Sequence, residues 1–233
     1  MERIWKCAHF ALARIWKSAV IVTIIYFAFI IGLTTLINAV TPDGPKTVQS
    51  SLILFGVIYT FFFMYSLYKN MWNNLLLFGN TRTTSFGGIL LATLCADAAF
   101  AILSVLSDGF TVVWSRVMHF TGGSIYGILD PQASPIQGVW YYFCLLFAVS
   151  CFGLLYGTLF YKIGRAFHAI FWIAFATFWS VGIPLCSKPI LAAAASWYTG
   201  YHHIAAASLH ALITGAVFAV IAYLLARRQP LRA

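Results

Sequence analysis

Apolar runs of about 20 residues recur along the chain, over roughly 18–40, 51–74, 86–107, 138–160, 166–187 and 206–226, with short polar segments between them. Each is long enough for an α-helix to cross about 30 Å of hydrocarbon, and too long for a strand. The runs also lack the roughly ten-residue alternation of a membrane β-barrel, so helices must satisfy the backbone hydrogen bonds inside lipid. The pattern predicts an all-α polytopic membrane protein with six transmembrane helices, forming a single transmembrane domain over residues 1–233.

Composition sharpens this reading. Hydrophobic residues make up 62% of the chain and charged residues 8%, with a mean hydropathy of +0.88. Basic residues accumulate in short cytoplasmic segments. With both termini inside, the cytoplasmic set is Arg3, Lys6, Arg14, Lys17, Lys69, Arg82, Lys162, Arg165, Arg227, Arg228 and Arg232, which is 11 of 14. Lys46, Arg116 and Lys188 fall outside, with Asp43, Asp108 and Asp130. The net charge of +9 follows from that topology and calls for no nucleic-acid partner. The first run continues too far, without an early small-residue cleavage site, to read as a cleavable signal peptide. Cys7, Cys95, Cys144, Cys151 and Cys186 form no CxxC pair and read as apolar packing residues.

Two segments outside the runs carry more information. In residues 1–17, Ile4, Cys7, Ala8, Ala11, Leu12 and Ile15 share one helical face while Arg3, Lys6, Arg14 and Lys17 decorate the other, with Trp5 and Trp16 at the edges. That pattern predicts an amphipathic helix in the cytoplasmic interface, its apolar face in membrane lipid and its basic face among anionic headgroups. The simpler alternative is a charged segment that only orients the first span. In the link over 68–85, Leu75, Leu76, Leu77 and Phe78 precede Gly79, and Asn80 or Thr81 is placed to cap the next helix. These apolar residues either prolong the second helix or form a surface that a partner covers.

The stretch from Leu77 to Phe86, with Gly79, Thr81, Arg82 and Phe86 in the order G-x-[ST]-R-x-x-x-F, resembles an element of the permease subunits of bacterial type-2 ABC transporters, the short six-span exporter class. Tyr161, Lys162, Ile163, Gly164 and Arg165 resemble the basic-Gly-basic element after the fourth span, and Leu224, Leu225, Ala226, Arg227 and Arg228 resemble the usual ending. The resemblance implies a permease subunit in the bacterial plasma membrane. It would pair with a separate ATPase subunit, which binds ATP and Mg, and with a second permease subunit in a homo- or heterodimer. The chain has no G-x-x-x-x-G-K-[ST] phosphate loop, so it is not an enzyme by itself and binds no cofactor of its own. It also implies that the link between the second and third spans is a coupling helix, with Leu77, Phe78, Gly79, Asn80, Thr81 and Arg82 docking into a groove on the ATPase. Residues 183–205, with Pro184, Pro189 and Ala192 to Ala195, would correspond to a re-entrant outer segment. The alternative there is an ordinary outer loop with Trp197, Tyr198 and Tyr201 in an interfacial belt. His202 and His203 lack a third metal ligand.

An outer loop is expected over 108–137, with Val112, Val113, Val117 and Met118 on an interfacial helix before turn residues such as Gly122 and Gly123. Ser124 beside those glycines has no matching His-bearing helix, which argues against a serine protease. Asp97 is the one acid expected inside a span, near mid-membrane, where a charged carboxylate costs roughly 2.5–3.5 kcal/mol. It must be protonated, paired or hydrated. It lies either on a translocation path or proton relay, or bonds to a neighbouring hydroxyl such as that of Thr93. The runner-up function is a proton-coupled secondary transporter using Asp97, although matching broken-helix halves are not evident. A membrane scaffold or immunity protein is a third class. Aromatics at 18%, including 21 Phe, suit a hydrophobic or amphipathic substrate such as a drug, antimicrobial peptide or lipid.

The topology makes a direct prediction. On a cysteine-free background, single cysteines at positions 45 and 132 should react with an impermeant maleimide in intact cells. Those at 80 and 229 should react only after permeabilisation, and outside labelling at 80 would invert the arrangement.

Overall fold

A computed structural model of the chain describes residues 2–40, 52–117, 127, 131–161 and 204–228. It is all-helical over these residues, with five helices long and apolar enough to cross a membrane. They are α1 (Glu2–Val40), α2 (Leu52–Leu77), α3 (Arg82–Val117), α4 (Pro135–Leu159) and α5 (Ile204–Arg227). The sixth run, 166–187, lies outside the described residues, as do Lys162 to Arg165, the proposed re-entrant stretch up to 203, His202 and His203, and Ser124.

Contacts between the helices set their directions. Ile4 packs against Gly87 near the start of α3, and the Trp114 indole N–H donates to the Thr34 hydroxyl near its end, at 3.1 Å. Thus α1 and α3 run parallel. Leu52 shares a cluster with Tyr26, Ile30 and Leu103, so α2 runs against both. Asp97 bonds to Ser150 and Asp108 to Tyr142, which sets α4 antiparallel to α3. Gly215 abuts Phe147 and Phe218 meets Phe152, so α4 and α5 run parallel, leaving Leu159 and Ile204 at opposite ends of the bundle.

Each helix begins or ends where its residues demand. The Ser134 hydroxyl accepts from the Gln137 amide while the Gln137 side chain accepts from the Ser134 amide, and Pro135 occupies the first helical turn of α4. At Gly79, φ is +75°, a left-handed conformation that ends α2, and the Gly79 amide donates to the Leu76 carbonyl at 3.0 Å.

The structure changes three sequence expectations. From Glu2 onward, the segment expected as a separate interfacial helix over 1–17 instead continues into the first run as one helix of 39 residues, about 58 Å long. The face expected in lipid, with Cys7, Ala8, Ala11 and Ile15, is buried against Met64, Tyr68, Ile89 and their neighbours. Gly88 allows this contact, because a Cβ there would collide with Cys7 Cβ. Burial of that stripe on protein removes the same apolar area from water without lipid. The third helix also runs on to Val117, taking Asp108, Val112 and Val113 out of the expected outer loop. Finally, there is no separate coupling helix among the described residues. Leu75, Leu76 and Leu77 prolong α2, and only residues 78–81 separate it from α3.

Gly88→Ala should lower the unfolding temperature of the detergent-purified protein by the equivalent of about 1–3 kcal/mol through overpacking. Cys7→Gly in the same chain should recover part of that loss, since it removes the nearest clashing atom. An unchanged melting curve for Gly88→Ala would show that α1 does not pack this closely.

Candidate functional site

Two regions bring chemistry-bearing side chains together. The first is the α2–α3 turn, which holds Leu77, Phe78, Gly79, Asn80, Thr81 and Arg82 side by side. The Phe78 amide donates to the Asn74 carbonyl at 3.1 Å, and Asn80 Nδ2 donates to the Leu75 carbonyl at 3.0 Å. Thr81 caps α3: its hydroxyl accepts from the Thr84 amide at 3.2 Å and lies 2.7 Å from the Thr84 hydroxyl. With both helix ends closed this way, Leu77 and Phe78 are left 75% and 73% exposed at the tip. Two adjacent large apolar side chains at this exposure, on a turn held by six hydrogen bonds to its own helices, form a defined protrusion.

Arg82 faces differently from its neighbours. Its Nη1 donates to the Arg227 carbonyl at 2.6 Å, and the Thr83 and Tyr223 hydroxyls approach to 3.4 Å. A guanidinium at a helix C-terminus satisfies an orphan carbonyl and complements the helix dipole. Arg82 therefore ties the turn to the end of α5 and stands apart from the exposed Leu77–Phe78 tip.

The second region is the buried face of α3. Thr93, Asp97, Ser104, Ser107, Asp108, Thr111 and Ser115 are all buried, at intervals that keep them on one side of the helix. Most of the hydroxyls bond backward along α3: Thr93 to the Ile89 carbonyl at 2.9 Å, Ser104 to Phe100 at 2.8 Å, and Thr111 to Ser107 at 2.9 Å. The two carboxyl groups reach across to α4 instead. Ser150 Oγ donates to Asp97 Oδ1 at 2.9 Å, and the Tyr142 hydroxyl donates to Asp108 Oδ2 at 2.6 Å. Among the described residues, Asp97 Oδ2 is buried without a hydrogen-bond partner.

Asp97 thus bonds to a hydroxyl, but to Ser150 on another helix rather than Thr93, which donates to Ile89 and to Met64 Sδ at 3.3 Å. Sequence reasoning missed Ser150, Tyr142 and the inclusion of Asp108. The spacing held a signal: residues 97 and 108 differ by eleven positions, which returns a helix to within roughly 20° of the same face. Asp97 lies about 22 Å along α3 from Arg82, so the structure does not join it to the turn. Among the described residues, no three His, Cys, Asp or Glu side chains gather to hold a metal ion. Comparison with protein-family models, curated proteins and solved structures returns no match for this chain.

Ser150→Ala should destabilise the protein by about 1–3 kcal/mol, because it leaves a buried carboxyl without its donor. Adding Asp97→Leu should restore part of that loss, giving a coupling of about 0.5–3 kcal/mol in a double-mutant cycle of detergent unfolding. Strict additivity would show that the two side chains do not interact.

Proposed function

We propose that this chain is the membrane-spanning permease subunit of a bacterial type-2 ABC exporter. In this reading it moves a hydrophobic or amphipathic substrate, in the class of drugs, antimicrobial peptides or lipids, while ATP is hydrolysed on a separate subunit. The carrying observation is the exposed Leu77–Phe78 tip, which stands on a capped turn next to the C-terminal end of α5. A rigid apolar protrusion suits transmission of motion from a soluble partner, since a flexible one would absorb it. The partner's contact falls on Leu77, Phe78, Gly79, Asn80 and Thr81, with Arg82 bracing the turn from behind.

The six-span arrangement with cytoplasmic termini in the bacterial plasma membrane belongs to the same proposal. Its support is the parallel course of α4 and α5, which requires the chain between Leu159 and Ile204 to return across the bundle, and the apolar run over 166–187 is long enough to do so. A second copy of the chain, or a related permease, completes the transmembrane unit.

One observation favours the second reading, a proton-coupled carrier: the Asp97 carboxyl is fully buried and only one of its oxygens is bonded among the described residues. Buried acids within membrane helices often mark proton or ion paths.

Co-expression with a candidate ABC ATPase subunit from the same organism separates the readings. The permease should co-purify with the ATPase and stimulate its hydrolysis, and Phe78→Asp should reduce the association at least about tenfold, as loss of a central apolar anchor does. Unchanged association of Phe78→Asp would remove the docking assignment. Transport in vesicles driven by a proton gradient without ATP, and abolished by Asp97→Asn, would favour the carrier.

A further inference from the structure

The neighbouring helices fix the height of each residue of α1. Ile4 stands at Gly87 and Thr34 at Trp114, offsets of 83 and 80 residues, so Lys17 is level with residues 97–100 of α3, the height of the buried Asp97. The Ser18 hydroxyl lies 2.6 Å from that of Tyr59, eighteen residues from the end of α2. On α4, Ser150 meets Asp97 nine residues from Leu159 and fifteen from Pro135, about 13 and 22 Å. Lys17 therefore stands deep within the apolar spans and not at their rim.

The side of α1 that carries it follows from the helical period. Cys7, Ala8, Ala11 and Ile15 are buried on the core side, and the opposite side presents Lys6, Phe10, Ala13, Lys17, Val20 and Ile24, all exposed. Those six recur at alternating intervals of four and three, the spacing of a seam that packs against one more helix. Ala13 and Lys17 also line a groove of about 550 Å³ between α1 and α3, which leaves room for a neighbour's side chains.

The seam needs a counter-charge at its middle. Among the described residues one ion pair is found, Lys6 with Glu2 at 2.7 Å, and Lys17 makes none. Hydrocarbon covers an unpaired ammonium at this height poorly, and a lysine stem of about 6 Å does not reach the rim. A second copy of the chain does not supply the acid: a parallel seam would set Lys17 against Lys17, while Asp97 and Asp108 are buried and bonded to α4 and Glu2 is bonded to Lys6.

We propose that this seam docks a transmembrane helix of a different chain, one that carries an Asp or Glu at the height of Lys17. Phe10, Ala13, Val20 and Ile24 supply the apolar contact, and the lysine selects partner and register, as a single polar seam position does. The inference rests on the reading of these helices as membrane spans and is independent of the ATPase assignment.

The test places the full chain, with a fluorescent protein at its C-terminus, in phosphatidylcholine vesicles. Dye-labelled host peptides of about 21 Leu and Ala residues carry one central Asp or Lys, and energy transfer reads their association with the chain. The Asp peptide should bind about tenfold more tightly than the Lys peptide. Lys17→Leu, at an exposed position that leaves the core intact, should abolish that preference, and Lys17→Asp should invert it. Lys6→Gln, nearer the rim, should leave it unchanged. In cells, Lys17→Cys should stay unlabelled by an impermeant maleimide. Equal binding of the two peptides, an unaltered preference in Lys17→Leu, or an equal loss in Lys6→Gln would overturn the proposal. So would loss of the preference when phosphatidylglycerol replaces phosphatidylcholine, which assigns the seam to lipid; labelling at position 17, which assigns it to an aqueous path; or self-association of the chain abolished by Lys17→Leu, which assigns it to a second copy. Release of the chain from the vesicles by alkaline carbonate would overturn the membrane reading itself, whereas retention without a peptide preference would overturn the docking proposal alone.

Discussion

A polar group removed from water must find its hydrogen-bond partner inside the protein, and in this chain that requirement is concentrated on one face of α3. Seven buried polar side chains run along it from Thr93 to Ser115. Four of the hydroxyls turn back to their own helix, a solution any helix can offer. A carboxyl oxygen that accepts cannot do the same, since backbone carbonyls inside a helix only accept. Asp97 and Asp108 must instead be met by donors from a neighbour, and Ser150 and Tyr142 of α4 supply them. Those two bonds set the direction and register of α4 on α3, because an apolar interface would tolerate sliding far better than a pair of buried acids.

The remaining helices are positioned by close approach. Gly88 admits Cys7 and Ala8 of α1, Gly153 lies where a Cβ would stand 2.7 Å from the Phe61 carbonyl oxygen of α2, and Gly215 lies against Phe147. In lipid, apolar area alone does not drive helices together, so small residues that bring backbones into dispersion contact carry the association. The same closeness leaves the wider side chains of α1 and α5 facing outward, where Ile21, Ile24, Leu209 and Val220 are exposed among the described residues. Between the tight fastenings, Ala13 and Ala99 are too small to fill the gap, and a groove results.

The α2–α3 turn depends on both kinds of constraint. Gly79 takes the left-handed conformation that stops α2, Thr81 starts α3, and the Arg227 carbonyl holds Arg82. Asn80, Thr81 and Arg82 each direct a side chain to a backbone partner. Leu77 and Phe78 are what remains, and their exposure is a consequence of how completely the rest of the turn is satisfied.

The all-helical class, the positions of α2, α4 and α5, and the presence of a turn near Gly79 were legible in the sequence, because run length, a left-handed glycine and helix caps are local properties. Asp97 was recognisable as anomalous for the same reason, an acid within an apolar run. Its partner was not, because Thr93 and Ser150 are both hydroxyl residues and only packing decides which one faces it. Residues 1–17 carried an amphipathic period that lipid and protein can satisfy equally, so the sequence alone could not say which surface covers Cys7, Ala8 and Ala11. Asp108 read as the start of an outer segment, with Val112 on a separate interfacial helix, because an acid marked the end of the apolar run, yet α3 continues through both and Tyr142 bonds the Asp108 carboxyl within the bundle. What the chain determined by itself was which segments become helices, a matter of backbone hydrogen bonding and local hydrophobicity. The tertiary structure decided which buried polar group meets which donor and which apolar face meets protein instead of lipid, since both depend on neighbours distant in sequence.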